Sequence, residues 1–127
     1  MPRTRTLNRR SQCEKALTFR RGKASLLSNV LHDWDVAECL QLVTRCAATL
    51  PPDGRLLIHD VFLSDELDGP LPVALYSAAL FVLTEGRAYC AAEYREWLTQ
   101  AGLEAGAVVP TFIHCGALIG QKAKKNR

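Results

Sequence analysis

The 127-residue chain has five cysteines, an odd number, and no two of them form a CxxC pair. Scattered as Cys13, Cys39, Cys46, Cys90 and Cys115, they offer neither zinc-ligand spacing nor a disulfide framework. They read as free thiols of a reducing compartment, most of them small core hydrophobes. No apolar run approaches the roughly 20 residues that span a bilayer, and the N-terminus lacks the apolar centre of a secretory signal. The expectation is a cytoplasmic protein with no metal site and no membrane contact. Acidic residues are nearly missing from the start: residues 1–27 hold eight of the sixteen Lys and Arg against Glu14 alone. The last six residues carry four more basic groups, while residues 28–121 carry four basic and twelve acidic, a balance of −8. The net charge of +3 therefore sums a basic arm, an acidic body and a basic tail, and is not a nucleic-acid footprint. Nucleic acid is not expected as a partner.

What is present suits one globular domain: 48% of residues are apolar and 23% charged. Residues 1–24 read as a basic, disordered arm, with a transit peptide or nucleic-acid tail as alternatives; residues 123–127 form a basic tail. From Ala24, ASLLSNVLH has the near-continuous apolar texture of a short buried strand. DVAECLQLVTRCAATL (35–50) is a helix, with Asp35 as N-cap and Glu38 three residues on. Val36, Cys39, Leu40, Val43, Cys46, Ala47 and Leu50 give its buried face. PPDG (51–54) turns the chain into RLLIHDVFL (55–63), a second buried strand. After the acidic loop 64–70, residues 71–86 read as an apolar helix ended by Gly86, and 91–103 as an amphipathic helix ended by Gly102. GAVVPTFIHCGALIGQK looks like two strands with Pro110 between them or at an edge. The class is α/β, with a parallel start and an antiparallel hairpin at the end.

SNVLHDWDVAEC (28–39) raises the functional question. His32 follows the first strand, where ligands bind in open α/β sheets, and an imidazole can accept a proton near neutral pH. The alternative is a structural histidine beside capping aspartates, and the local pattern alone leaves both open.

NVLHDWDVAEC, followed by AATLPPDGRLLIHDVFL and GPLPVALYSAALFVLTEGR, resembles the C-terminal half of the S-adenosylmethionine-dependent O-methyltransferases that act on small-molecule hydroxyls. The GPL, LYS and TEG stretches are most similar to the acetylserotonin-type members. The resemblance runs from about Ser25 to Lys122 and implies a Rossmann-like sheet with S-adenosylmethionine as cofactor. It makes His32 the general base and places Asp33 near the acceptor pocket; for Asp33 and Asp35, capping is the competing role. Of the two acids that orient the family's histidine, one falls at Asp60, shorter than the usual glutamate and equally readable as a strand-end acid. The other falls at Ala88, which cannot serve, with Glu85 nearby. Polar acceptor-binding positions match Ala79 and Leu83, so a pocket there is more apolar than one for acetylserotonin; plain helix packing is the other reading. Tyr76 lines the acceptor pocket or packs. Trp34 and Trp97 read as packing residues, and His59 and His114 as core or edge residues in strands.

The resemblance also implies a cofactor contact at Ser28 and Asn29, although the basic residue usual at that rim is not there. No GxGxG occurs in the chain, so the resemblance covers a partial catalytic domain, residues 25–122. A truncated or frame-shifted reading frame is one expectation, with the isolated chain binding S-adenosylmethionine poorly or not at all. A non-catalytic module that pairs with a partner chain, or with a second copy as a homodimer, through an open sheet edge is the other.

Overall fold

A computed structural model of the chain describes residues 23–126. The basic arm expected over 1–24 thus lies almost wholly outside the described residues, as does Cys13. Strand β1 (Ala24–Ser28) runs parallel to β2 (Arg55–Leu63), in register from Ala24 opposite Arg55 to Ser28 opposite His59. On its other side β2 is antiparallel to β6 (Cys115–Lys122), and β6 to the short β4 (Leu103–Ala105). Two-residue strands complete the sheet: β3 (Tyr89–Cys90) extends along β2, and β5 (Val109–Pro110) folds back on β6 as a hairpin. The parallel start and antiparallel end are those expected from the sequence.

Helix α1 (Val36–Thr49) joins the two parallel strands, as a parallel pair requires. Asp35 caps it, accepting a hydrogen bond from the Glu38 amide at 2.9 Å. Its buried face is Cys39, Leu42, Val43, Cys46 and Ala47, rotated from the expected one: Val36 is exposed and Leu42 is buried. Helix α2 (Leu71–Leu83) and helix α3 (Ala91–Gln100) end earlier than their sequence pattern suggests. Thr84 stops α2 by capping Leu80's carbonyl with both its amide and its hydroxyl, at 2.7 Å each. Beyond α3, Gly102 turns the chain at φ 82° into β4, which takes Leu103 out of the expected helix.

The core lies on one face of the sheet. Leu56, Ile58 and Leu118 meet Cys39 and Val43 of α1 and Leu98 of α3, all fully buried. Tyr89, Tyr94 and Trp97 pack edge to face with centroids 4.9–5.9 Å apart, an arrangement that favours ring quadrupoles. The opposite face is only partly covered: Leu57, His59 and Val61 are half-buried, and Leu63 packs with Val73 of α2. On β1, Leu27 is 7% exposed and Leu26 is 62% exposed, because successive strand residues point to opposite sides. The expected continuous buried strand is thus buried on one face only. Helix α2 is apolar all round, yet only Val73 and Leu80 are buried; Phe81, Val82 and Leu83 are 75–80% exposed. Among the described residues no helix is long and apolar enough to cross a membrane.

Candidate active site

The LHDW stretch forms a single 3-10 turn, Leu31–Asp33, at the carboxyl end of β1. Asn29 makes the bend possible by taking φ 54°, a left-handed conformation asparagine tolerates, and its amide donates to the His59 carbonyl at 2.9 Å. Leu31 then drops into the core, so the next residue, His32, is carried inward with it; both are buried.

His32 Nδ1 lies 2.7 Å from Asp60 Oδ1, and Asp60 is 1% exposed. An ionised carboxylate can only accept, so Nδ1 carries the proton and donates it. This leaves Nε2 with its lone pair, 3.5 Å from Asp33 Oδ1. Asp60 Oδ1 also accepts from the Val61 amide at 2.8 Å, which fixes the carboxylate on its strand. Burial alone would lower the His32 pKa. The Asp60 hydrogen bond and charge, with a smaller contribution from Asp33, outweigh it and raise the value above the usual 6.5. An imidazole so placed can take a proton at Nε2 and hold it.

Tyr76 of α2 meets the His32 ring edge to face at 5.7 Å. Ala79 and Leu83 follow it at i+3 and i+7, so the three share one stripe of α2; all three are exposed. Of the three, Tyr76 meets the imidazole, and Ala79 and Leu83 continue its stripe along α2 as an apolar surface. Asp33 is half-buried, and Asp35 is committed to its cap.

Ser28 and Asn29 occupy the same rim as His32 on the adjoining side. Ser28 Oγ lies 3.0 Å from His59 Nδ1 and accepts from Asn29 Nδ2 at 3.3 Å, while His59 Nε2 is 3.1 Å from Thr111 Oγ1. His59 thus stands half-buried across the sheet from Asp60, tying the rim to the β5–β6 loop; strand alternation was the signal for that separation. His114 departs from its expected strand and sits exposed in that loop at φ 61°. Trp97 is buried, and Trp34 packs at the core's margin. At the position without an acid, Ala88 is fully buried in a small apolar cluster and Glu85 is exposed. Tyr89, which the sequence does not single out, donates from its hydroxyl to the Trp34 carbonyl at 2.5 Å.

Against known proteins, the O-methyltransferase domain model matches residues 16–104. A 3-hydroxy-5-methyl-1-naphthoate 3-O-methyltransferase of Streptomyces sahachiroi is 42% identical over 79 residues, 62% of this chain and 23% of that protein. An acetylserotonin O-methyltransferase of Gallus gallus is 37% identical over 97 residues, 76% of this chain and 28% of that one. Among solved structures, an O-methyltransferase family 2 protein of Planctomyces limnophilus, in complex with apigenin, matches with a TM-score of 0.80 and 50% identity over 83% of this chain and 31% of that chain. Human N-acetylserotonin methyltransferase in complex with SAM matches with a TM-score of 0.79 and 29% identity, over 84% and 31%. The chain spans about a quarter of the length of the curated relatives it matches. On these grounds the chain belongs to the O-methyltransferase domain family.

Proposed function

We propose that this chain carries the proton-accepting half of an S-adenosylmethionine-dependent O-methyltransferase site acting on a small-molecule hydroxyl. The observation that carries the reading is the buried His32–Asp60 pair, 2.7 Å apart at the carboxyl end of the parallel strands. When bound, S-adenosylmethionine supplies an electrophilic methyl group; this chain's part is to ready the oxygen that receives it. The acceptor hydroxyl donates its proton to His32 Nε2, the imidazolium so formed is held by Asp60 at Nδ1, and Asp33 adds negative charge on the Nε2 side. Tyr76, Ala79 and Leu83 offer the acceptor an apolar flank, which favours an aromatic or otherwise apolar alcohol. Ser28 and Asn29 present polar groups at the rim that suits a cofactor contact. They form a rim and not a cradle, because the described residues hold no glycine-rich turn and no free strand-end acid for ribose hydroxyls.

A chimera tests this reading. Residues 24–122 would replace the matching segment of the Planctomyces limnophilus protein, and methyl transfer to phenols, apigenin included, would be followed. The chimera should be active and His32→Gln should reduce its rate by 10²-fold or more, the scale of a lost general base. A His32→Gln chimera as active as its parent would refute it.

A second reading has its own observation. The outer edge of β1 has no neighbouring strand among the described residues, Leu26 is exposed there, and α2 shows apolar side chains on every side. Both features favour burial against further polypeptide, from a partner chain or a second copy. A stable, soluble monomer in sedimentation at tens of micromolar would count against that pairing.

A further inference from the structure

Asp60 fixes the His32 ring, but the position of the ring also depends on the backbone that carries it. The turn has two backbone hydrogen bonds of its own, Asp33 amide to Val30 carbonyl at 3.2 Å and Trp34 amide to Leu31 carbonyl at 3.1 Å. Other elements also hold it. From below, Cys39 Sγ donates to the Leu31 carbonyl at 3.1 Å. From the side, the segment after α2 is pressed against it. A Cβ built on Gly86 would lie 2.2 Å from the His32 carbonyl oxygen and 2.6 Å from the Trp34 amide nitrogen and carbonyl oxygen. No side chain fits there. Three residues on, the Tyr89 hydroxyl donates to the Trp34 carbonyl at 2.5 Å.

The segment that makes these contacts is itself anchored at both ends. Ser77 Oγ of α2 accepts from the Ala88 amide at 3.1 Å, and Thr84 Oγ1 accepts from the Gly86 amide at 3.0 Å. Arg87 pairs with Glu93 of α3, donates to the Ala88 carbonyl at 2.9 Å and lies over the Tyr89 ring at 4.5 Å. Glu93 in turn accepts from the Cys90 amide at 2.9 Å. A part anchored to two helices does not yield when the turn moves against it.

We propose that Gly86 and Tyr89 are positioning residues for His32, a clamp that sets the turn's backbone from the side where this chain has Ala88 in place of a second orienting acid. The inference rests on the reading of His32 as the base. Asp60 gives the ring its direction; Gly86 and Tyr89 give the turn its place. Displacing the turn lengthens the Nδ1–Oδ1 contact, and His32 then loses the interactions that favour its protonated form while burial continues to oppose it.

The test is an NMR titration of the His32 imidazole in the 127-residue chain, with stability measured alongside, for wild type, Gly86→Ala, Tyr89→Phe and the control Leu118→Val. The control trims a buried side chain of β6 and leaves Gly86, Tyr89 and Asp60 as they are. Tyr89→Phe should weaken His32 proton affinity about threefold, half a pH unit; Gly86→Ala should weaken it about tenfold or more. Leu118→Val should lower stability and leave the midpoint in place. If Gly86→Ala does not fold, Tyr89→Phe decides alone, since it removes one hydroxyl and adds no volume. Variants that lose stability yet keep the wild-type midpoint would overturn the clamp. The wild-type midpoint itself bears on the base reading, whereas the clamp stands on differences between variants, so the two failures look different.

Discussion

His32 Nδ1 and Asp60 Oδ1 meet at 2.7 Å although 28 residues separate them, one from the turn after β1 and the other from β2, one residue past its last pairing with β1. The parallel register that sets Ser28 opposite His59 is what brings them together. With the pKa of His32 raised by this contact, the pair's contribution to stability is full below the unfolded value near 6.5 and fades as pH rises through the folded value. Urea unfolding between pH 5.5 and 8.5 should show wild type losing stability, relative to Asp60→Asn, as pH rises. Parallel pH curves for the two proteins would contradict this.

Asp60→Asn should also cost stability outright. It leaves a buried imidazole without its charged acceptor, a loss of about 1–3 kcal/mol. The unfolding free energy at pH 6, where the pair is most complete, is the measurement; a cost below about 0.5 kcal/mol would mean the contact is not made in solution.

Asp35 and His32 stand three positions apart and do different work. Asp35→Ala removes the bond to the Glu38 amide and should cost about 1 kcal/mol, the usual value of an N-cap. In the chimera it should leave methyl transfer nearly unchanged once the protein is folded, in contrast to His32→Gln. A rate loss comparable to that of His32→Gln would place Asp35 in the chemistry instead.

Trp97 of α3 packs against Tyr89 and Tyr94 in the aromatic cluster and is 4% exposed. Trp97→Ala should cost about 3–5 kcal/mol, as large buried aromatics do. For a domain of this size that is a large part of the total. Chemical denaturation should therefore show a much lowered midpoint or no folded baseline.

Thiol chemistry should follow burial. Cys39 is fully buried and its thiol is pushed up to about 12, mainly by desolvation, so it should not react in the native state. Cys46 and Cys90 are buried as well, while Cys115 is partly exposed at the start of β6. Of these four, iodoacetamide should modify Cys115 first, as read by peptide mass spectrometry. Native-state labelling of Cys39 would indicate that the His32 turn, whose Leu31 carbonyl it binds, opens readily.

Much of this fold could be read along the sequence because its signals are local. The cap at Asp35, the 3.6-residue spacing of α1 and the PPDG turn each rest on neighbours within a few positions, and each element forms where its pattern lies. The readings that needed correction involve the surroundings of an element. Leu26 lies within an apolar run, yet it is 62% exposed on the less covered face of the sheet. His114 belongs to a loop because the β5–β6 hairpin turns at 111–114, after a two-residue strand too short to show a period. Of the candidate site, the sequence pointed to His32 by its motif and to Asp60 by its place in the second strand, and the two are in contact. Neither Tyr89 nor Gly86 was legible: Gly86 looks like a helix terminator, and the close approach that excludes a side chain there comes from residues more than fifty positions away.

The central claim is that Asp60 makes His32 a stronger proton acceptor than an ordinary histidine. Titration of the His32 imidazole by ¹⁵N NMR, in wild type and Asp60→Asn, tests it most directly. The account predicts a wild-type midpoint above 6.5, a proton on Nδ1 in the neutral form, and a midpoint lower by about one unit or more in Asp60→Asn. A wild-type midpoint at or below 6.5 that Asp60→Asn leaves unchanged would contradict it.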